Sequence, residues 1–182
     1  PTALDHKCPS CDGPIEKPDG FVAWRCVNFE CPAQAVTSIT HFAGRKALDL
    51  DGLGESVAIK LVETKLASSP LDLFSLSLDN LANLLLDPAK SSDGLTQSKE
   101  RRFGEKRANT LINSLIKARE EMPLSRWLFA MGISQIGESA ARELSRLHQK
   151  LSDLPESEIV ADLADLPDFA ELSKSKRKKE NH

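Results

Sequence analysis

The sequence predicts a mainly α-helical protein in which a small four-cysteine finger precedes a larger domain of helices joined by tight glycine turns. Three observations support this prediction. All four cysteines lie close together near the N-terminus. Apolar residues recur at helical spacing over much of the remaining chain. Several of these stretches begin directly after a glycine.

The cysteines form two close pairs, Cys8 with Cys11 and Cys26 with Cys31. Each pair can offer two sulfurs to one metal ion, and four thiolates are a typical ligand set of tetrahedral zinc. A segment of about thirty residues rarely folds without a metal or disulfides. We therefore expect a structural zinc ion with no open coordination position, and we interpret His41 as a packing residue. Four buried or reactive thiols are the alternative.

Apolar periodicity and turn signals predict the helices of the larger domain. Pro and Gly residues mark the breaks between them, and a polar stretch at 87–101 predicts a surface loop. The predicted helices span residues 34–46, 56–65, 71–86, 105–121, 124–130 and 138–148.

A short pattern recurs before three of these helices: an apolar residue, a small residue and Glu, with Ala four positions after the small residue. The copies are Leu53-Gly54-Glu55, Phe103-Gly104-Glu105 and Ile136-Gly137-Glu138, with a degenerate fourth at Phe169-Ala170-Glu171. The pattern is typical of helix-hairpin-helix units. We expect positive φ at the small residue, an apolar anchor in the core, and close helix packing at the Ala.

Such turns can bind phosphate, because the amides at a helix N-terminus carry partial positive charge. Contacts to the backbone alone read no base, so binding should not depend on sequence. Basic residues near the second turn would add affinity through counterion release. The predicted DNA contacts are Gly52, Leu53, Gly54, Arg102, Gly104, Lys106, Arg107, Gly137 and Ser139. An ordinary turn is the alternative, and it is preferred for the fourth copy, since Ala170 would be strained at positive φ.

The 182 residues carry a formal net charge of −3, which excludes a uniformly basic nucleic-acid binder and leaves local basic clusters at 99–107 and 174–179. The sequence shows no signal peptide and no apolar run long enough to cross a bilayer, so we expect a cytoplasmic, nucleoid-associated protein without a membrane partner. The chain begins at Pro1, and we expect it to be a piece of a longer or processed protein. No group of residues suggests an active site.

Longer stretches of the chain resemble bacterial NAD-dependent DNA ligases. They include Cys8-Pro-Ser-Cys11, Cys31-Pro-Ala-Gln34, the run from Ile39 to Gly54, and the run from Trp127 to Ile133. Together the similar stretches cover most of residues 5–148. A zinc finger followed by a helix-hairpin-helix domain is the order found in the C-terminal half of these ligases.

The resemblance implies that the chain holds duplex, nicked DNA while other domains of the ligase react a lysine with NAD, transfer AMP to the 5′-phosphate and seal the nick. Zinc-ligand roles fall to the four cysteines, and hairpin roles to Gly52–Gly54, Gly104 and Gly137. NAD would act only through an adenylation domain absent from this chain, so we expect the chain alone to be inactive. The implied partners are nicked DNA and the catalytic domains of the parent ligase, in DNA replication and repair.

On this interpretation residues 1–33 form the finger, 34–172 the helix-hairpin-helix domain and 173–182 a basic disordered tail. Two alternatives remain open. One is a non-catalytic DNA-binding or repair-adaptor module with a separately encoded catalytic partner, which an upstream adenylation domain would exclude. The other is a zinc-stabilised protein-interaction module, which the net acidic balance favours and which binding insensitive to salt would support.

Overall fold

A computed structural model describes residues 7–17, 22–87, 100–133, 136–148, 150–153 and 156, and the backbone of 91–92 and 96–97. The chain divides into two compact units. One contains Pro1–Asn28 with His148–His182, and the other contains Phe29–Leu147. The degenerate fourth repeat and the basic tail lie outside the described residues.

The first unit contains a short antiparallel hairpin. Strands β1 (Ile15–Glu16) and β2 (Arg25–Cys26) pair with Ile15 opposite Cys26, and a bridge between Lys7 and Pro14 extends the pairing. The last described element of this unit is a 3₁₀ turn at Leu151–Asp153. The hairpin places Cys26 across from the segment that follows the first cysteine pair.

The second unit is helical, as the sequence predicted. Its helices pack in consecutive pairs, α1 on α2, α3 on α4 and α5 on α6. Their bounds are α1 Pro32–Ala43, α2 Glu55–Glu63, α3 Leu78–Ala82, α4 Glu105–Glu121, α5 Leu124–Ala130 and α6 Glu138–Leu147. The largest fully buried side chains include Phe42, Leu61 and Leu111, from three different helices. Phe42 lies edge-on to Phe74 and Trp127, with ring centroids 6.3 Å and 5.9 Å away.

The prediction of one helix over 71–86 is wrong. This stretch contains a 3₁₀ helix at Pro70–Ser75, then α3, then strand β3 (Leu85–Asp87). The Ser77 hydroxyl starts α3 by accepting a hydrogen bond of 3.2 Å from the Asn80 amide. Leu86 is buried between two exposed neighbours, which is the alternation of a strand. Leucine spacing alone did not distinguish these elements.

The segment predicted as a surface loop contains short paired strands. β3 pairs antiparallel with β6 (Arg101–Arg102), and β4 (Ser91–Ser92) pairs with β5 (Thr96–Gln97) in a separate two-stranded sheet. The segment therefore leaves and rejoins the helical unit along one strand pair. The Phe103 amide then donates a 2.9 Å hydrogen bond to the Leu84 carbonyl, which fixes the chain just before α4.

Candidate functional site

The four cysteine sulfurs form one cluster, and all lie within 4.8 Å of one another. Cys8 and Cys31 are buried, whereas Cys11 and Cys26 are partly exposed. Four thiolates around a zinc ion, at about 2.3 Å each, would be about 3.8 Å apart. The 3.6 Å separation between the Cys11 and Cys26 sulfurs is close to that value and far from a disulfide bond of about 2 Å. The cluster therefore fits a tetrahedral zinc ion.

Local backbone geometry brings the first cysteine pair into position. The Cys8 amide donates to the Gly13 carbonyl, and the Asp12 amide donates to the Cys8 carbonyl, each at 2.8 Å. Asp12 adopts a φ of 56°, the left-handed conformation that closes the turn. A side chain at Gly13 would lie only 3.1 Å from the Asn28 Cβ and 3.2 Å from the Cys11 sulfur. The turn therefore favours glycine beside the sulfur cluster.

Cys31 reaches the cluster from the N-terminus of a helix. It occupies the N-cap position of α1, followed by Pro32 at the first helical position. With metal bound, the cluster would have a structural role, because four protein thiolates leave no coordination position for a substrate.

The first predicted turn joins α1 to α2. Leu53 is 6% exposed and anchors the turn in the core. Gly52 has a φ of 87°, and Gly54 is the N-cap of α2 with a φ of −96°. The Asp51 amide donates a 3.1 Å hydrogen bond to the Ser114 hydroxyl, which attaches the turn to α4. Helix α2 begins directly after Gly54 at an exposed part of the helical unit, so its first amides lie near the surface.

The second predicted turn immediately precedes α4. Phe103 is 2% exposed, and Gly104 is the N-cap of α4 with a φ of 85°. The Gly104 amide donates a 3.0 Å hydrogen bond to the Ala82 carbonyl at the end of α3. That amide is therefore engaged within the protein, and the phosphate-binding groups available here are the amides that follow it in α4.

The third predicted turn precedes α6. Gly137 and Ser139 are exposed, and Glu138 is the first residue of the helix. The Ala141 amide donates a 2.9 Å hydrogen bond to the Gly137 carbonyl, so the helix hydrogen bonds begin at this glycine. Residues 134–135 of the turn lie outside the described part of the chain.

The repeated glycines share one property in the structure. Apart from the adjacent residues in the chain, no atom of the described residues lies within 4 Å of a methyl group placed on Gly54, Gly104 or Gly137. The expectation of positive φ at this position holds for Gly104 but is wrong for Gly54, whose φ of −96° any residue can adopt, and for Gly137, whose φ is not positive either. In the first turn, positive φ occurs instead at Gly52. The repeated alanines are fully buried: Ala58, Ala108 and Ala141 are each 0% exposed.

The basic residues predicted near the second turn differ in their environments. Arg102 forms a 2.9 Å ion pair with Glu100, so part of its charge is already balanced. The Arg107 guanidinium stacks 4.5 Å from the centre of the Phe103 ring. Lys106 is exposed at the start of α4. Lys106 and Arg107 therefore add positive charge next to Gly104, and the stacked ring restricts the position of Arg107.

The structure also assembles basic residues that the sequence patterns did not single out. Arg45, Lys46, Arg126 and Arg142 line one cleft of about 360 Å³, together with Glu138. The first two follow α1, whereas Arg126 and Arg142 lie on α5 and α6. Only the packing of α5 and α6 near the end of α1 brings these positions together, so no local sequence signal could have identified them.

The finger belongs to a recognised class. Residues 7–33 match the family described as the NAD-dependent DNA ligase C4 zinc finger domain. This match and the sulfur cluster support structural zinc as the cofactor of the chain.

The whole chain is similar to parts of larger proteins named DNA ligase. A relative from Akkermansia muciniphila is 48% identical over 164 residues, which is 90% of this chain and 20% of that protein. Relatives from Caldicellulosiruptor saccharolyticus and Alkalilimnicola ehrlichii are 36% and 38% identical to this chain. Each alignment covers 92% of this chain and 22% of the relative. The chain thus spans about a fifth of the length of these relatives. The similarities support its correspondence to the C-terminal part of a DNA ligase and a role related to DNA ligation.

Among the described residues, no helix is both long and apolar enough to span a membrane.

Proposed function

We propose that this chain is the DNA-holding part of an NAD-dependent DNA ligase, which binds nicked duplex DNA without reading its sequence. The similarity to DNA ligases over 90% of the chain supports the ligase context. The observation on which the DNA contacts rest is the open space at Gly54, Gly104 and Gly137, each directly before a helix.

The three helix pairs act as helix-hairpin-helix units in this proposal. In each unit the amides at the start of the second helix face a DNA phosphate, where the helix dipole favours negative charge. The absence of a side chain on the glycine lets the phosphate approach the backbone. The buried alanines, such as Ala108, let the two helices pack closely behind the turn.

The exposed side chains around the turns complete the proposed interface. Lys106 and Arg107 contact phosphates beside Gly104, and Arg102 can exchange its partner Glu100 for a phosphate because both side chains are about half exposed. The Ser139 hydroxyl, exposed at the start of α6, can donate to a phosphate beside Gly137. In this proposal residues 1–33 form the finger, residues 34–172 form the DNA-binding domain and residues 173–182 form a basic tail.

Catalysis belongs to the rest of the parent protein in this proposal. The parent's other domains use NAD to activate the nick, and this chain positions the DNA for them. The chain by itself should therefore seal no nicks in the presence of NAD. Because its target is chromosomal DNA, the proposed location is the bacterial cytoplasm, at the nucleoid.

Gly54→Val tests the proposal. Valine fills the space that the phosphate would occupy, whereas the extended backbone accepts it. We expect DNA affinity to fall at least severalfold in fluorescence anisotropy, while thermal unfolding changes little. Ser38→Val, on an exposed face of α1, is the matched control and should bind like the unsubstituted chain. Equal affinity of all three proteins would exclude the first turn as a DNA contact.

A further inference from the structure

The basic cleft beside the third turn is a second kind of anion site, separate from the amides of the turns. It is lined by Arg45, Lys46, Arg126 and Arg142, with Glu138 as the carboxylate among the lining residues. Pro123 and Phe129 contribute apolar surface. A volume of about 360 Å³ is at the lower end of the range of ligand sites, and it accommodates a phosphate with part of its attached sugar.

Two of these cations already neutralise Glu138, but only loosely. Lys46 lies 3.3 Å from the carboxylate, and Arg142 forms an ion pair with it one helical turn away. The side chains of Lys46 and Arg142 are 76% and 64% exposed. Such exposed pairs contribute at most about 1 kcal/mol, so either cation can turn toward an incoming anion.

Arg126 has a different role in the cleft. Its guanidinium donates to the backbone carbonyls of Ala47 and Arg45, so its position is fixed. It adds a constant positive charge to the cleft wall. The exposed Arg45 side chain completes the set. The described residues that line the cleft thus comprise four cations and one carboxylate, which favours an anion.

We propose that this cleft binds a backbone phosphate of the duplex, next to the one held at the third turn. The inference rests on the proposed DNA-binding function. Glu138 directly follows Gly137, so a strand held at that turn passes the cleft mouth. A phosphate tethered in this way has a high effective concentration, which compensates for the weak hold of an open, solvated site. Free phosphate lacks this advantage.

The test compares two double variants that remove the same charge. Arg45→Gln with Arg142→Gln removes two of the three exposed cations of the cleft and leaves Lys46 in place. Arg119→Gln with Arg146→Gln removes two exposed arginines outside the cleft. Each of them is paired with a glutamate, and Arg146 lies on α6, the helix that also carries Arg142. Binding of the zinc-loaded chain to a nicked duplex is measured by anisotropy across a salt series, and thermal unfolding confirms that each variant is folded.

We expect the cleft variant to bind more weakly and its slope of log affinity against log salt to fall by about one, the loss of one phosphate contact. The control should keep the original slope. Equal slopes for the two variants would overturn the cleft and leave the turns as the DNA site. No DNA binding by the unsubstituted chain would overturn the proposed function and the cleft assignment together.

A titration with inorganic phosphate distinguishes a DNA backbone phosphate from a small phosphorylated ligand as the anion bound in the cleft. We expect the titration, followed by NMR of the arginine side chains, to perturb Arg45 and Arg142 only at high concentration. Duplex DNA should abolish that response. Tight phosphate binding that DNA does not displace would overturn the assignment in favour of a small phosphorylated ligand.

Discussion

Gly52 and Gly54 lie two positions apart in the first turn but differ in what a side chain would encounter. Gly52 has a φ of 87°, and an added Cβ would lie 3.8 Å from the Arg107 carbonyl oxygen. Gly54 is extended and open. Gly52 therefore has a conformational role, whereas Gly54 keeps the surface accessible.

Alanine substitutions should separate these roles. Gly52→Ala is expected to lower the free energy of unfolding by about 1 kcal/mol, because an L residue is strained at positive φ. Gly54→Ala should change it by only a few tenths of a kcal/mol, because the poorer N-cap offsets the stabilisation from the less flexible unfolded chain. Urea unfolding measures both. A loss for Gly54→Ala as large as that for Gly52→Ala would contradict this separation and give Gly54 a conformational role too.

Asp72 gives the helical unit a dependence on pH. Its carboxylate accepts hydrogen bonds from the Ser68 and Ser69 amides at 2.8 Å and from the Ser68 hydroxyl at 2.9 Å. The backbone hydrogen bonds from Ser68 and Ser69 are the main causes that lower the pKa of Asp72 from its ordinary value of 3.8. Its stabilising contribution is therefore complete above that ordinary value, and it is lost as the pH falls through the pKa of the folded state.

The substitution Asp72→Asn should make the protein less stable at neutral pH than the unsubstituted chain. The difference should shrink in buffers more acidic than the ordinary value of 3.8, where the carboxyl group becomes protonated. Urea unfolding at several pH values measures the gap, with Glu121→Gln as a control for the loss of one charge. A gap that is independent of pH would exclude this role of the ionised carboxylate.

Site residues were predictable where a local pattern determines them. The spacing of the cysteines predicted a metal cluster, and their sulfurs do converge within 4.8 Å. The Glu after each glycine was expected at a helix start, and Glu55, Glu105 and Glu138 are each the first residue of a helix. Arg45 and Arg142 were missed because they are distant in sequence and meet only through the tertiary fold.

At the scale of elements, the helices with clear boundaries were predicted closely. Helix α4 was expected at 105–121 and is observed at Glu105–Glu121, since Gly104 precedes it and Pro123 follows soon after. The leucine-rich stretch before it was not predictable in this way. Leucine side chains are buried in helices and in strands alike, so their spacing did not show where one element ends and the next begins. Ser77 gave only a weak signal of the break before α3.

Arg126 connects two elements of the helical unit. Its Nε donates a 2.6 Å hydrogen bond to the Ala47 carbonyl, and a second group of the guanidinium donates to Arg45. Both acceptors lie in the turn after α1, whereas Arg126 lies on α5. The side chain therefore holds this turn against α5, on the border of the basic cleft.

Arg126→Ala should lower the free energy of unfolding by about 2 kcal/mol, because two carbonyl groups lose a charged donor. Arg119→Ala, at an exposed site on α4, should change it by less than about 0.5 kcal/mol. Denaturant unfolding compares the two variants. Similar small losses would show that the Arg126 hydrogen bonds contribute little to holding α5.

At the scale of the whole molecule, the two units should differ in what stabilises them. The buried hydrophobic cluster extends from Ile39 to Ala130, within the helical unit, and includes no described residue of 7–28. The sulfur cluster is the evident stabilising feature of the finger. Structural zinc in such small domains contributes folding free energy directly.

Removal of zinc should therefore affect the units unequally. We expect one zinc ion per chain, released by a chelator, with collapse of the amide NMR dispersion of residues 7–28. The helical signal in circular dichroism should largely persist. The variant Cys11→Ser should reproduce the chelated state. A general loss of helical signal would mean instead that the helical unit depends on the metal.

The most direct test of the central claim is the affinity of the chain for a nicked duplex, measured by fluorescence anisotropy across a salt series and with two unrelated sequences. If the turns and nearby cations hold DNA phosphates, affinity should fall steeply with salt and be the same for both sequences. The slope then counts the phosphate contacts. Absence of binding at low salt, or binding that salt does not weaken, would contradict the account.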